Sequence, residues 1–300
     1  MVAMENLIAK AEILVESLPY IRKFAGKTFV VKYGGQAMVD EELKKKVIVD
    51  IVLLKYIGIN PVLVHGGGKE ITVWSEKLGL EPSFSQGLRV TDAETMELAE
   101  MVLSGKVNRQ IVSLINHEGG KAIGINGRDA NLLLGRRFPP RKVSFEGKKE
   151  TVDLGFVGEI TAVNPEIIYS LINQDYIPIV SSIGIDTDTG EGLNINADAV
   201  AGELAASLAA EKLIFLTDVE GIMADPNGDR GKLISTLNRK TAAEMKEDGK
   251  ISAGMIPKVD SCLKALDNGV SRTHIIDGRV THSLLLEIFT NKGIGSMVVN

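Results

Sequence analysis

Short apolar runs alternate with helical stripes along almost the whole chain. Residues 28–33, 60–65, 121–127, 177–181 and 212–217 are runs that read as strands buried on both faces, and 272–276 and 296–299 repeat the pattern. Between them, residues 41–56 carry a helical stripe that Gly58 ends. A long helix is predicted from the capping box Thr91…Glu94 to Gly119-Gly120, another from Asn164-Pro165 to about residue 175, and an alanine-rich one after Asn196. Thr241…Glu244 marks a further start, residues 252–258 open another helix, and 282–290 close the series. At the amino end Leu7, Ile8, Ala11, Leu14, Val15 and Leu18 form a stripe opposite Lys10, Glu12 and Glu16, with Pro19 expected to bend or end that helix. Residues 136–158 read as hairpins over a surface. Such alternation calls for an α/β fold with a mainly parallel sheet sandwiched by helices, whose post-strand loops gather along one edge.

Composition narrows the classes. The 300 residues are 44% hydrophobic and 24% charged, ordinary for a globular protein, and no stretch approaches the roughly 18 apolar residues of a membrane span. A net charge of −5 lacks the basic footprint of a nucleic-acid or anionic-membrane binder. One cysteine, Cys262, allows no internal disulfide, and four scattered histidines give no zinc cluster. No protein metal site is expected, and a cytoplasmic setting is. The amino terminus, with charges inside its apolar pattern, does not read as a signal peptide.

The chemistry concentrates at two glycine loops. Residues 60–65 empty into Gly66-Gly67-Gly68 and a helix follows at once; residues 28–33, with Lys32 among them, empty into Gly34-Gly35. Bare backbone amides and a helix amino terminus suit a phosphate or carboxylate, and two such loops suit more than one anionic group. Known phosphate motifs fail: a P-loop ending at Gly26-Lys27-Thr28 has Ile21 in place of its first glycine, and a dinucleotide fingerprint from Gly66 breaks at Ile71. The remaining polar residues at strand ends are Arg89, Asn194, Asp198 and Lys258. Lys258 in the first turn of a helix opposes the macrodipole unless an anion lies beside it, and Asp198 is placed to bridge two lysines. Arg89 carries the planar fork that suits a carboxylate.

As a set, Val31-Lys32-Tyr33-Gly34-Gly35, Val64-His65-Gly66-Gly67-Gly68, Gly87-Leu88-Arg89-Val90-Thr91, Leu193-Asn194-Ile195-Asn196-Ala197-Asp198, Leu216-Thr217-Asp218-Val219-Glu220-Gly221 and Gly254-Met255-Ile256-Pro257-Lys258 resemble the amino-acid kinase family over residues 27–300. The second, third and fourth motifs point to the branch acting on N-acetyl-L-glutamate. The resemblance implies two lobes, residues 25–184 for acetylglutamate and 185–300 for ATP, with Mg²⁺ carried by the ATP phosphates. It implies Lys32, Lys258 and Asp198 as the catalytic set. Substrate contacts would come from Gly34, Gly35, Gly66, Gly67, Gly68, Arg89, Asn194 and Asn196. The nucleotide would lie against Asp218, Val219, Glu220, Gly221, Ile222 and Met223 with Lys250, Ile251 and Ser252.

The same resemblance implies that residues 1–24 form a kinked oligomerisation helix interlacing dimers into a hexamer, a trimer of dimers. L-arginine would inhibit at a site made by Tyr20, Lys212, His274, Glu287 and Gly295. The rival readings are a glutamate 5-kinase, aspartokinase or uridylate kinase of the same family, and a non-catalytic arginine sensor. Whether a PII-type signalling protein binds is left open by the sequence.

Overall fold

A computed structural model describes residues 2–300 except 39, 86, 146–147, 225–232, 252–253 and 291. In chain order, α1 (Val2–Phe24) leads to β1 (Thr28–Tyr33), α2 (Glu41–Tyr56), β2 (Asn60–His65) and α3 (Gly68–Lys77). The short pair β3 (Phe84–Ser85) and β4 (Leu88–Arg89) precedes α4 (Ala93–Glu100), α5 (Asn108–His117) and β5 (Ala122–Asn126). Then come β6 (Leu133–Arg137), β7 (Arg141–Phe145), β8 (Lys148–Val152), β9 (Val157–Val163), α6 (Glu166–Asn173), β10 (Ile177–Ser181), β11 (Ile183–Asp186) and β12 (Gly192–Ile195). The carboxyl-terminal part holds α7 (Ala197–Ser207), β13 (Lys212–Thr217), β14 (Thr236–Asn238), α8 (Arg239–Glu247), α9 (Ile256–Asp267), β15 (Arg272–Asp277), α10 (Ser283–Phe289) and β16 (Ser296–Val299).

The main sheet has eight strands in the order β14-β16-β15-β13-β1-β2-β10-β5. From β15 to β5 the strands run parallel, and β16 turns antiparallel to β15. The side chains of β1, β2, β10 and β13 are almost entirely buried, as strands covered on both faces require. One core cluster, with Phe29, Val31 and Leu63, lies under the α2 and α5 side; the other, with Val30, Val64 and Phe215, lies under α7 and α9. Adjacent residues of one strand thus feed opposite cores, the period-two consequence of the pleat. Strands β11, β12, β9 and β6 close a small barrel beside the sheet, and β7–β8 form a hairpin, in the region expected to hold hairpins.

Several local expectations are corrected. Asp92, not Thr91, caps α4, its carboxylate accepting from the Thr95 amide, while Thr91 is buried and donates to the Arg89 carbonyl. Asn238 rather than Thr241 caps α8. The long helix runs without interruption from Ala93 to His117, as expected, but contains a π-helical stretch at Met101–Val107 between α4 and α5. Helix α1 continues through Pro19 as one element. The Val15 carbonyl that this proline leaves without a helical donor lies in an exposed turn, open to solvent.

Candidate active site

Parallel strands place their carboxyl ends along one edge, and the glycine loops after β1 and β2 lie there side by side, because Lys32 is in register with Val64 and Tyr33 with His65. A cavity of about 530 Å³ opens at this edge, lined by both loops and by Arg89, Asn194 and Asp198. Helix α3 begins at Gly68 with Gly67 as its N-cap and no side chain capping it. The first intrahelical bond runs from Ile71 to Gly67, so the amides before it have no helical partner and stand as anion donors at the cavity wall. A Cβ on Gly67 would come within 2.6 Å of Leu103 Cδ2, so the close approach of the π-helical turn requires glycine here. Gly35 has φ of +67°, and a Cβ there would collide with the Asp218 carboxylate, which brings the loop after β13 against the loop after β1.

Asp198, in the first turn of α7, is the electrostatic centre. Its Oδ1 lies 3.1 Å from Lys32 Nζ and its Oδ2 2.6 Å from Lys258 Nζ. Burial alone would raise this carboxyl, but the two ammonium groups outweigh burial and hold it below the usual carboxylate range. The anion that Lys258 needs at its helix start is therefore supplied by the protein itself. Asn196 caps α7, its Oδ1 accepting from the Asp198 and Ala199 amides, and so fixes where Asp198 begins.

Arg89 is only 7% exposed. Its Nη2 donates to the Gly68 carbonyl at 2.8 Å and to Thr72 Oγ1 at 2.6 Å, and its guanidinium lies 4.6 Å from the Phe84 ring centroid. Burial lowers its pKa, and its Nη1 is buried without a hydrogen-bond partner. An unpaired guanidinium nitrogen lining a cavity is a carboxylate donor waiting for its acceptor. Asn194 stands across the cavity, its Nδ2 within 3.3 Å of Thr91 Oγ1.

Beyond β13, Thr217 Oγ1 donates to the Ile276 carbonyl at 3.1 Å, and the Ile222 amide donates to Ser296 Oγ at 2.8 Å, shaping the loop of residues 218–223. Ile222 and Ile251 are buried in the core, the Ile222 carbonyl accepting from the Ile234 amide, while Val219 and Lys250 are exposed. Ser252 lies outside the described residues.

A second polar cluster lies under α1, where His274 bridges Lys212 Nζ at 2.9 Å and Glu287 Oε1 at 2.7 Å. Glu287 Oε2 also accepts from the Ile294 amide. Burial lowers Lys212 to about 8 against the pull of Glu287, and its ammonium lies 5.4 Å from the Phe24 ring centroid. Tyr20 packs edge-on against Phe289 on α10, and Gly295 fits closely against the Ile275 carbonyl. Of the five residues named from the sequence for an effector, Lys212, His274 and Glu287 thus form one buried hydrogen-bonded chain, while Tyr20 contacts Phe289 and Gly295 contacts Ile275. His65 and Asn108, both fully buried beneath the glycine loop, are not singled out by the sequence reading; a polar residue at 108 on the same stripe as Ile111 and Ile115 is the signal for the second.

Among family models, that of the amino acid kinase family matches residues 27–277. The chain belongs to that family. It is 56% identical to an acetylglutamate kinase of Pelotomaculum thermopropionicum, over 96% of this chain and 97% of the relative. With an acetylglutamate kinase of Desulforamulus reducens the identity is 54%, over 98% of each. Among solved structures it resembles N-acetylglutamate synthase from Neisseria gonorrhoeae, in a complex with coenzyme A and N-acetyl-glutamate, at TM-score 0.81 and 28% identity. That match covers 97% of this chain and 63% of the synthase chain. A complex of the synthase with coenzyme A and L-arginine matches at TM-score 0.77 and 26% identity, over 96% of this chain and 65% of that one.

Proposed function

We propose that this chain transfers the γ-phosphoryl group of ATP to the γ-carboxylate of N-acetyl-L-glutamate, giving N-acetyl-L-glutamyl 5-phosphate in arginine biosynthesis. The observation that carries this reading is Asp198 engaged by Lys32 and Lys258 beside a cavity whose wall holds a buried guanidinium with one free nitrogen. A carboxylate is already a nucleophile at neutral pH, so no general base is needed, and the protein's work is to align two polyanions and stabilise the charge between them. Arg89 Nη1 takes the substrate's α-carboxylate, with Asn194 opposite; Gly34 and Gly35 line the floor. The reacting γ-carboxylate lies on the amides of Gly67 and Gly68, with Gly66 leading into them, and Asn196 serves the site by holding α7. Lys32 and Lys258 turn their spare donors to the transferring phosphoryl group.

In this reading the nucleotide rests on the main chain of residues 218–223, with Lys250 and Ile251 beyond. Mg²⁺, if bound with ATP, would supply neutralisation of the phosphate charge, and because Asp198 is committed to two ammonium groups the ion would be carried by the ATP phosphates. The acetylglutamate half extends past residue 184 to Ile195, because β11 and β12 close the barrel with β6 and β9. L-Arginine acts as inhibitor between α1 and the Lys212–His274–Glu287 cluster. The exposed stripe of α1 joins dimers into a hexamer, and no helix among the described residues is long and apolar enough to cross a membrane. The enzyme's setting in this reading is the cytoplasm.

A coupled ADP-release assay with N-acetylglutamate, glutamate, aspartate and UMP tests the reaction. Turnover is expected with the first acceptor, at a kcat/KM at least a hundredfold above the others, since a buried guanidinium left unpaired penalises a substrate that misplaces its carboxylate. Preference for any of the other three would move the chain to another branch of the family, and turnover of none would make it a sensor.

A further inference from the structure

A trans peptide fixes the carbonyl and the following amide in opposite directions. The Gly66 carbonyl lies 2.9 Å from His65 Nδ1, and the His65 ring is fully buried behind the loop while Gly67 lines the cavity. A carbonyl held against the ring therefore aims the Gly67 N–H away from it, on the side of the cavity.

Which ring nitrogen carries the proton follows from the neighbours. Arg109 Nη2 stands 2.6 Å from Asn108 Oδ1, and because a guanidinium only donates, that Asn108 atom is the acceptor oxygen. The Asn108 amide nitrogen then faces the Ile179 carbonyl at 2.9 Å and His65 Nε2 at 3.0 Å, both nearer than the Ile125 carbonyl at 3.4 Å. Its second hydrogen needs a lone pair on Nε2, so the imidazole proton belongs on Nδ1, where it donates to Gly66. Burial, helped by Arg109 and opposed by the Gly66 carbonyl, lowers the His65 pKa to about 4 and keeps the ring neutral at working pH.

We infer that His65 is a positioning residue, set in its Nδ1–H tautomer by Arg109 and Asn108, which locks the Gly66–Gly67 peptide so that the Gly67 amide meets the charge growing on the reacting carboxyl group. The inference rests on the reading that this amide holds the acceptor carboxylate. Sequence reasoning assigns His65 no role, and its full burial would equally suit a residue that only fills space.

Two substitutions separate these roles. His65→Leu keeps bulk and removes the donor; His65→Asn leaves a void, but its Nδ2 takes the place of Nδ1 and can still donate to Gly66. The expected kcat for phosphorylation of acetylglutamate falls about a hundredfold in His65→Leu and less than tenfold in His65→Asn, with KM for acetylglutamate changing less than threefold in both. The order of melting temperatures is expected to be the reverse, His65→Leu above His65→Asn. If His65→Leu retains the higher kcat, the residue is a space-filler and the inference falls. Long-range proton–nitrogen correlation on the wild-type protein, which has only four histidines, reads the tautomer whether or not the variants fold; a proton on Nε2 would overturn the relay. Absence of wild-type turnover would count against the proposed reaction instead, leaving the tautomer result to stand or fall separately.

Discussion

An ammonium group has three N–H bonds, so a carboxylate shared between Lys32 and Lys258 leaves each lysine with donors to spare, pointed where Asp198 is not. Arg89 differs, because its Nη2 is spent on Gly68 and Thr72 while Nη1 is buried without a partner and is left for a ligand. The two kinds of cation therefore have separable kinetic signatures. Lys258→Ala is expected to lower kcat by about 10²–10³ with a small change in KM for acetylglutamate, the mark of an interaction realised in the transition state. Arg89→Lys is expected to raise that KM about tenfold or more, since a point charge cannot reach Gly68, Thr72 and a carboxylate together. Initial rates with both substrates varied check the pair; a changed KM for ATP in Arg89→Lys would place the substrates on the wrong sides of the cavity.

At the level of elements, the strands were legible because burial on both faces leaves nearly unbroken apolar runs: 177–181, 212–217 and 296–299 match β10, β13 and β16. The glycine loops were legible too, since three successive glycines have few other uses. Two helix starts were not, because Thr91, Asp92, Asn238 and Thr241 are all competent caps and tertiary packing chooses among them; burial takes Thr91 for the interior. The π-helical turn leaves no periodicity signal, yet it sets Leu103 and Val107 against Gly67. The effector cluster was reached only through resemblance, for Lys212, His274 and Glu287 lie far apart in sequence and share no local pattern. Helix α1 presents its own prediction. Leu14 is 72% exposed and Val15 68%, beside an exposed Leu7 and Leu18 on the same stripe. An unpartnered apolar stripe of this kind invites a second copy. Deleting residues 1–25 is expected to leave an active dimer, read by sedimentation, on which arginine inhibition is largely lost. An unchanged sedimentation coefficient with undiminished inhibition would remove α1 from both roles.

For the whole molecule, the buried Lys212 ties stability to pH in a direction opposite to that of a surface lysine. Its folded-state pKa of about 8 lies below the unfolded value of 10.5, so between those limits the unfolded chain binds a proton that the folded one does not, and stability gains as pH rises. Urea unfolding at pH 7.5 and 9.5 should show wild type gaining about 1–2 kcal/mol relative to Lys212→Met over the interval. A difference that is flat or reversed would mean that Lys212 keeps its proton through this range. The sheet has a mechanical consequence as well. Strands β1 and β13 pair from Phe29–Lys212 to Lys32–Phe215, joining the two proposed substrate halves by an unbroken hydrogen-bonded ladder. Such a seam twists readily but separates only by losing its bonds. Were the proposed nucleotide half to rotate toward the acceptor half about this seam, Lys32 would sit on the axis. Points on an axle barely travel while the rim sweeps through a wide arc, so in such a closure the ammonium beside Asp198 would stay put while the outer walls of the cleft moved.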